Sequence, residues 1–494
     1  MPPIWPACHV PPTPLPTRSC EGSGVDDVLI VGAGSAGCVL ADRLSARGTR
    51  VTVLEAGPDI GDRAAVTGPS FFEAIAEPDL LWPDLVARRT PLQEPRQYGR
   101  GRGVGGSSLV NAMVGLWGEV EDYDAWDRDF GCTKWSWRDV EPYFRRIEVP
   151  LSKADTRSST RLGGALVEAC RTLGWDLHRG PYPLGGLGRD VGPAMLTRDR
   201  DGRRVTVADA YLRRARTRHN VTLRPDTLVD RVVLEGRRAR GVVLADGSEV
   251  PASTVIVCAG AIHSPAILLR SGIDRPGIGL GLQDHPSVPI TVSLREPVDP
   301  GELAVTSLAR FSSGEIPADL QLLPMDHLGR AAPGYGVLSV ALMQARSRGR
   351  VRLRSSSPHE DPMVDFGLLD EDSDRWRLMT GMRVLRALLR EPPLSAAIAD
   401  AFIDDRGTRL DDLGDDDEIL AGWMQRHVGD YVHASGTCAM GDPRRETSVV
   451  DPSGVVIGYD GLRVCDASIF PQLPRANTHF PVMMAAEVLS DRMS

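Results

Sequence analysis

No stretch of this sequence carries the roughly 18 consecutive apolar residues that a helix needs to cross a bilayer, which excludes a membrane-spanning helix. Cysteine is sparse and scattered. Cys8, Cys20, Cys38, Cys132, Cys170, Cys258, Cys438 and Cys465 form no Cys-x-x-Cys pair, so neither a disulfide framework nor a clustered metal site is expected. These thiols read as reduced, which points to the cytoplasm. A basic excess is missing too: 57 Lys and Arg stand against 66 Asp and Glu, a net −9, with no long basic run. A nucleic-acid binder neutralises phosphates with such runs, so that class is excluded. The first 24 residues are proline-rich and lack both the basic start and the apolar core of a signal peptide. They read as a flexible tail or as residues upstream of the true start. A shortage of apolar residues is not among the gaps: 42% apolar and 25% charged are ordinary for a globular chain and exclude a disordered one.

What the chain holds in surplus is glycine, 51 of 494 residues, a length for two or three folding units. Such a surplus marks tight turns and places where backbone approaches a ligand. Val25 to Val31 is a short β-branched run, followed by Gly32-Ala33-Gly34-Ser35-Ala36-Gly37, a helix-forming stretch, and the strand-like Arg50-Val51-Thr52-Val53-Leu54 before Glu55. Strand, glycine turn, helix, strand is the context in which G-x-G-x-x-G binds a dinucleotide. Gly32 permits the turn, Gly34 admits a pyrophosphate to the backbone, and Gly37 lets the helix pack closely on the strand. The helix N-terminus then offers N–H groups and the positive end of its dipole to the phosphates. Glu55, 18 residues beyond Gly37, is placed to accept ribose hydroxyls and to disfavour a 2′-phosphate. This unit alone fits NAD and FAD equally.

Further segments follow in order. Gly101 to Asn111 (GRGVGGSSLVN) is a second glycine-rich stretch, with Glu121 to Trp126 (EDYDAW) after it. Gly260-Ala261-Ile262-His263-Ser264-Pro265 follows a strand, and near the end come His433 to Gly441 (HASGTCAMG), Asp466-Ala467-Ser468 and Asn477-Thr478-His479. From about Val25 to the C-terminus the chain resembles the glucose–methanol–choline (GMC) family of FAD-dependent oxidoreductases, its short bacterial alcohol-oxidising members most of all. The resemblance implies an α/β fold, a Rossmann-like FAD-binding domain with a discontinuous antiparallel-sheet substrate (cap) domain. Residues 25–150, 201–288 and 429–494 would form the first, and 151–200 and 289–428 the second.

The same resemblance implies a cofactor and its contacts. FAD would lie against Gly32, Gly34, Ser35, Ala36, Gly37, Glu55 and Ala56, with Trp82 and Gly105 beside it. Asn111, Ala112, Met113 and Val114 would meet the isoalloxazine, Val229 the adenine, Asp466 and Ala467 the ribityl–phosphate region, and Asn477 and Thr478 the ring from the closing loop. Relatives with covalent FAD use a histidine just before the asparagine; Val110 occupies that position, which implies non-covalent FAD. His433 would be the base, since an imidazole of ordinary pKa about 6.5 suits proton removal near neutrality. Asn477 would hold the substrate oxygen as an amide donor, with His479 a competitor for that role. The helix after Phe480, starting near Pro481, would aim its positive end at the flavin.

The implied reaction is oxidation of a small-molecule alcohol to a carbonyl, with electrons passing on to O2 or another acceptor. An FAD-containing lyase of the hydroxynitrile type and a non-catalytic flavin-binding protein remain as rivals. In the middle of the chain PITVSL, ADLQLL, GVLSVALM and GRVRLR read as strands roofing the flavin, and DSDRWRLMTGMRVLRALL as a helix. Ser264-Pro265 reads as the N-cap and first position of a helix ending at Gly272, and residues 404–418 as a solvated acidic surface. Two features depart from the family pattern. The segment Pro276 to Pro286 follows Ile273 almost at once, and Val432 stands where many relatives carry an aromatic, which implies a roomier pocket.

Overall fold

A computed structural model describes residues 27–156, 161–178, 180–185, 188–414 and 416–493; the proline-rich tail, with Cys8 and Cys20, lies outside these. A five-stranded parallel sheet runs in the order Leu462–Val464, Thr254–Val257, Asp27–Val31, Arg50–Leu54, Val221–Arg224. Leu29, Ile30, Val51, Val53, Val255 and Ile256 are buried, as strands covered on both faces require. The first strand is central, so the turn that follows it opens at the middle of the sheet's C-terminal edge. A three-stranded meander, Val229–Glu235, Arg238–Leu244 and Glu249–Pro251, lies alongside, its second turn made by Asp246-Gly247.

A seven-stranded sheet forms the other large element: Ile398–Phe402, Ser287–Leu294, Tyr335–Leu342, Leu320–Met325, Ser307–Phe311, Asp190–Pro193, Asp176–Leu177. Only its last pair is parallel. Helices Leu162–Thr172 and Asp372–Arg390 pack against the sheet, the first with Leu162 against Gly336 and Gly163 against Ser307, the second with Gly381 against Leu320 and Val340. Three of the expected strands belong here. GRVRLR does not: Gly349–Arg352 joins a separate five-stranded sheet beside Met363–Asp365 and Leu280–Leu282. The chain turns away first at Arg346 and Ser347, whose N–H groups donate to the buried carboxylate of Asp374. The fully buried strand Ser307–Phe311 lacks an alternating pattern, and the sequence reading passed over it.

The Ser264-Pro265 reading is also corrected. The helix spans Gly260–Arg270, so Ser264 and Pro265 lie inside it. Its start is fixed by Asp466, whose carboxylate accepts the Gly260 N–H at 2.9 Å and the Ser264 hydroxyl at 2.6 Å. Pro265 has no N–H for the carbonyl of Ala261, four residues back. The hydroxyl of Thr437 donates to that carbonyl instead, at 2.6 Å. The closing helix spans His479–Arg492, with Pro481 in its first turn. Most of the acidic stretch at 404–418 is exposed where described, and Asp416 caps the helix Asp417–His427. Among the described residues no helix is long and apolar enough to cross a membrane. The six described cysteines are free thiols, all buried.

Candidate active site

A cavity of about 630 Å³ runs from the parallel sheet to the seven-stranded sheet. Its volume falls in the range of cofactor and ligand sites. One end is the first glycine turn. Gly32 sits at φ +103°, and a Cβ there would lie 2.5 Å from the carbonyl oxygen of Cys258, so only glycine fits. A Cβ on Gly37 would fall 2.0 Å from the Gly32 carbonyl oxygen, which closes the turn onto the helix start. The second glycine stretch is tied to the first: the Gly105 N–H donates to the Ala33 carbonyl at 2.8 Å. Glu55 reinforces the join, its buried carboxylate accepting N–H groups of Ala33, Gly57 and Gly103 at 2.8, 3.0 and 3.1 Å. Burial pushes its pKa up, and those donors oppose the rise. Much of its capacity thus holds loops together, a duty the sequence reading did not assign.

Two helix N-termini open on this cavity, at Ser35 and at His479, and neither is capped by a side chain. Free N–H groups and the positive dipole end at each favour an anionic ligand. Of the residues expected at the cofactor, Gly32, Gly34, Ser35, Ala36, Glu55, Ala56, Trp82, Asn111, Ala112, Met113, Val114, Val229, Asp466, Ala467, Asn477 and Thr478 line the cavity. Gly37 and Gly105 do not; they act through the packing and the hydrogen bond just described. Val110 lines it as well and carries no atom that could bond to a flavin. Trp82 stacks on His263 with ring centroids 4.0 Å apart, and His263 is a lining residue the sequence reading missed.

At the other end His433 and Asn477 meet, with Nε2 and Nδ2 3.5 Å apart. His479 is directed elsewhere: its Nδ1 lies 2.9 Å from the Ser35 hydroxyl. The two candidates for the second role therefore separate, and Asn477 is the one beside His433. Behind His433 stands His285, the two Nδ1 atoms 2.9 Å apart. One of them must carry the proton and the other accept it. If His433 donates, its Nε2 is left bare toward the cavity. Burial and the neighbouring His285 hold the His433 imidazole well below its ordinary pKa, and burial holds His285 down to about 3.

Asp284 builds the turn that carries this histidine. Its buried carboxylate accepts the N–H groups of His285, Tyr431 and His433 at 2.7, 3.1 and 3.0 Å, and the Tyr98 hydroxyl at 3.3 Å. Burial and the nearby Asp430 push its pKa up to about 7. The turn forces Val432 to φ +55°, a costly conformation for a β-branched residue, and leaves its side chain 45% exposed at the rim. The Asp-His pair of the LQDHP segment was visible in the sequence, but no local signal joined it to a histidine 148 residues later. Three polar atoms of lining residues are buried without partners: Asn477 Oδ1, Tyr431 Oη and His479 Nε2. Two uncapped helix starts, two glycine loops and these orphaned atoms fit a flavin dinucleotide.

The GMC oxidoreductase family matches the chain in both its parts, the N-terminal over residues 26–287 and the C-terminal over 345–486. The chain belongs to that family, and with it to the FAD-dependent oxidases and dehydrogenases of alcohols. The 5-(hydroxymethyl)furfural oxidase of a Methylovorus species is 33% identical, the match covering 94% of this chain and 98% of that protein. An oxygen-dependent choline dehydrogenase of Photobacterium profundum is 31% identical over 94% and 92%. Among solved structures, pyridoxine 4-oxidase from Mesorbium loti superposes with a TM-score of 0.85 at 28% identity, over 94% of this chain and 99% of that one.

Proposed function

We propose that the protein oxidises an uncharged alcohol to its carbonyl, with His433 as the base and Asn477 holding the oxygen. The observation that carries this is the placement of His433 Nε2 beside Asn477 Nδ2 on a cavity whose far end is the dinucleotide turn. Bound FAD, held non-covalently, supplies the two-electron acceptor. His433, kept unprotonated by burial, takes the hydroxyl proton on Nε2 while its Nδ1–H stays on His285. Asn477 donates its amide N–H to the same oxygen and steadies the charge that develops there. Their nitrogens lie 3.5 Å apart, so one alcohol oxygen placed on the cavity side can come within about 2.8 Å of both. We assign the parallel-sheet side to the cofactor domain and the seven-stranded sheet to the cap.

The lining supports the word uncharged. Leu323, Met325 and Val337 from the seven-stranded sheet and Phe71 beside them are apolar, and the three described carboxylates on the wall are already engaged. Glu55 takes three N–H groups, Asp430 pairs with Arg89, and Asp466 holds the Gly260 helix start. A cationic alcohol such as choline finds no free counterion there. A hydroxymethyl group on a flat ring, as named for the 5-(hydroxymethyl)furfural oxidase, suits the lining better. The test is an anaerobic titration of the purified flavoprotein with 5-(hydroxymethyl)furfural, pyridoxine, benzyl alcohol and choline, watching the visible flavin band. Bleaching by a neutral ring alcohol and not by choline is expected, lost in H433A by about 100-fold or more in rate. No bleaching by any alcohol would leave the lyase reading standing. Repeating the hits in air separates O2 from another acceptor.

A further inference from the structure

Among the described residues five arginines are buried: Arg89, Arg204, Arg310, Arg377 and Arg475. Four of them pair with aspartate. Arg89 meets Asp430, Arg310 meets Asp190, Arg377 meets Asp319 and Asp374, and Arg475 meets Asp122. Arg204 has no carboxylate among the described residues. Its Nε donates to the Val66 carbonyl at 3.0 Å, and one terminal nitrogen reaches the Ser108 carbonyl at 3.3 Å and the Asn111 carbonyl and side-chain oxygens at 2.7 and 2.6 Å. The other terminal nitrogen is buried with no partner at all. An unpaired buried charge costs a fold several kcal/mol, so its retention calls for an anion that the polypeptide does not supply.

The location says which anion. Ser108 and Asn111 line the cavity, and Arg204 stands directly behind them. Because the Asn111 side-chain oxygen is taken by Arg204 and by the Met113 N–H, the Asn111 amide nitrogen is the end left to face the cavity. The field of Arg204 reaches the wall: together with burial it holds the lining His479 down to about 4. The other cations on the wall are differently placed. Arg270 is paired with Asp230, and Arg100 is half-buried, bonded to the Val432 carbonyl. His263, His433 and His479 are the titratable bases there. Burial lowers Arg204 itself only to about 9, so it stays charged through neutrality.

We propose that Arg204 is the fixed countercharge for the reduced flavin, acting from behind Asn111 as a positioning residue. The proposal rests on the FAD reading. Oxidation of the alcohol would deliver a hydride, two electrons with one proton, to the ring and the hydroxyl proton to His433, which leaves the ring with a net negative charge. A permanent cation one residue away in a low-dielectric wall stabilises that charge and raises the reduction potential.

The test is redox titration of the holoenzyme with a reference dye, alongside FAD binding to the apoprotein. R204M is expected to lower the midpoint potential by at least about 30 mV, a tenfold loss of preference for reduced over oxidised FAD. R204Q, which keeps a donor toward Asn111 without the charge, should fall with it, and R204K should stay within threefold of wild type. Wild-type potential in R204Q, or weakened FAD binding in R204M with no change in potential, would overturn the proposal in favour of a structural or a diphosphate-anchoring role. Should these variants fail to fold, the wild type still decides. With a fixed cation, reduction takes up one proton per two electrons between pH 6 and 8; two protons would refute it. A wild-type chain that takes up no FAD defeats the cofactor reading itself and is told apart from all of these.

Discussion

The glycine turn at Gly32–Gly37 and the histidine turn at Asp430–Ala434 line one cavity, yet the first is built of main chain and the second of buried side chains. In the glycine turn the contacts are carbonyl oxygens and N–H groups, with no room for a Cβ at Gly32 or Gly37. In the histidine turn a carboxylate, two imidazoles and two phenols are packed out of water, and the backbone follows them into a left-handed residue at Val432. A main-chain site fails when atoms are added and owes little to titrating groups beyond the Glu55 carboxylate that braces it. A side-chain site fails when atoms are removed and answers to pH. That difference suits the proposed function, in which one end would hold a ligand and the other would move a proton.

The contrast can be broken from either side. Gly32→Ala should have the largest effect. Its Cβ meets the Cys258 carbonyl and its φ of +103° becomes strained, for a loss of about 3–5 kcal/mol by chemical denaturation and a colourless product. A yellow, stable G32A enzyme would erase the distinction. Asp284→Ala comes next. It strips the acceptor from the N–H groups of His285, Tyr431 and His433, and should cost about 3 kcal/mol and at least tenfold in kcat while FAD is retained. Loss of FAD with intact stability would mean the two turns are not separable.

The smallest effect concerns pH. Burial holds His285 at about 3 and His479 at about 4, below the ordinary 6.5 that they regain on unfolding. Below pH 6.5 the unfolded chain binds protons first, so stability falls as pH falls, by about 1.4 kcal/mol per unit for each histidine, down to its folded value. Asp284, raised to about 7, runs the opposite way: its contribution is present at acid pH and lost as pH climbs through 7. Thermal melts of His285→Asn between pH 6.5 and 4.5 should therefore be flatter than wild type by about one histidine's share. Parallel curves would show that His285 is protonated or exposed in the native state.

Local sequence was enough for the features whose physics is local. G-x-G-x-x-G after a β-branched run specifies its turn within six residues, because no side chain other than hydrogen fits at Gly32 and Gly37, and the order of the later segments carried the family. The cap strands with clear turns around them were legible for the same reason. The separation of Asn477 from His479, the duties of Asp284 and His285, the hydroxyl of Thr437 standing in for the N–H that Pro265 lacks, and the unpaired charge of Arg204 were settled only by the tertiary structure. Each depends on partners between tens and hundreds of residues apart. Burial makes these polar groups need those partners, and burial is a property of the folded chain, not of any stretch of it.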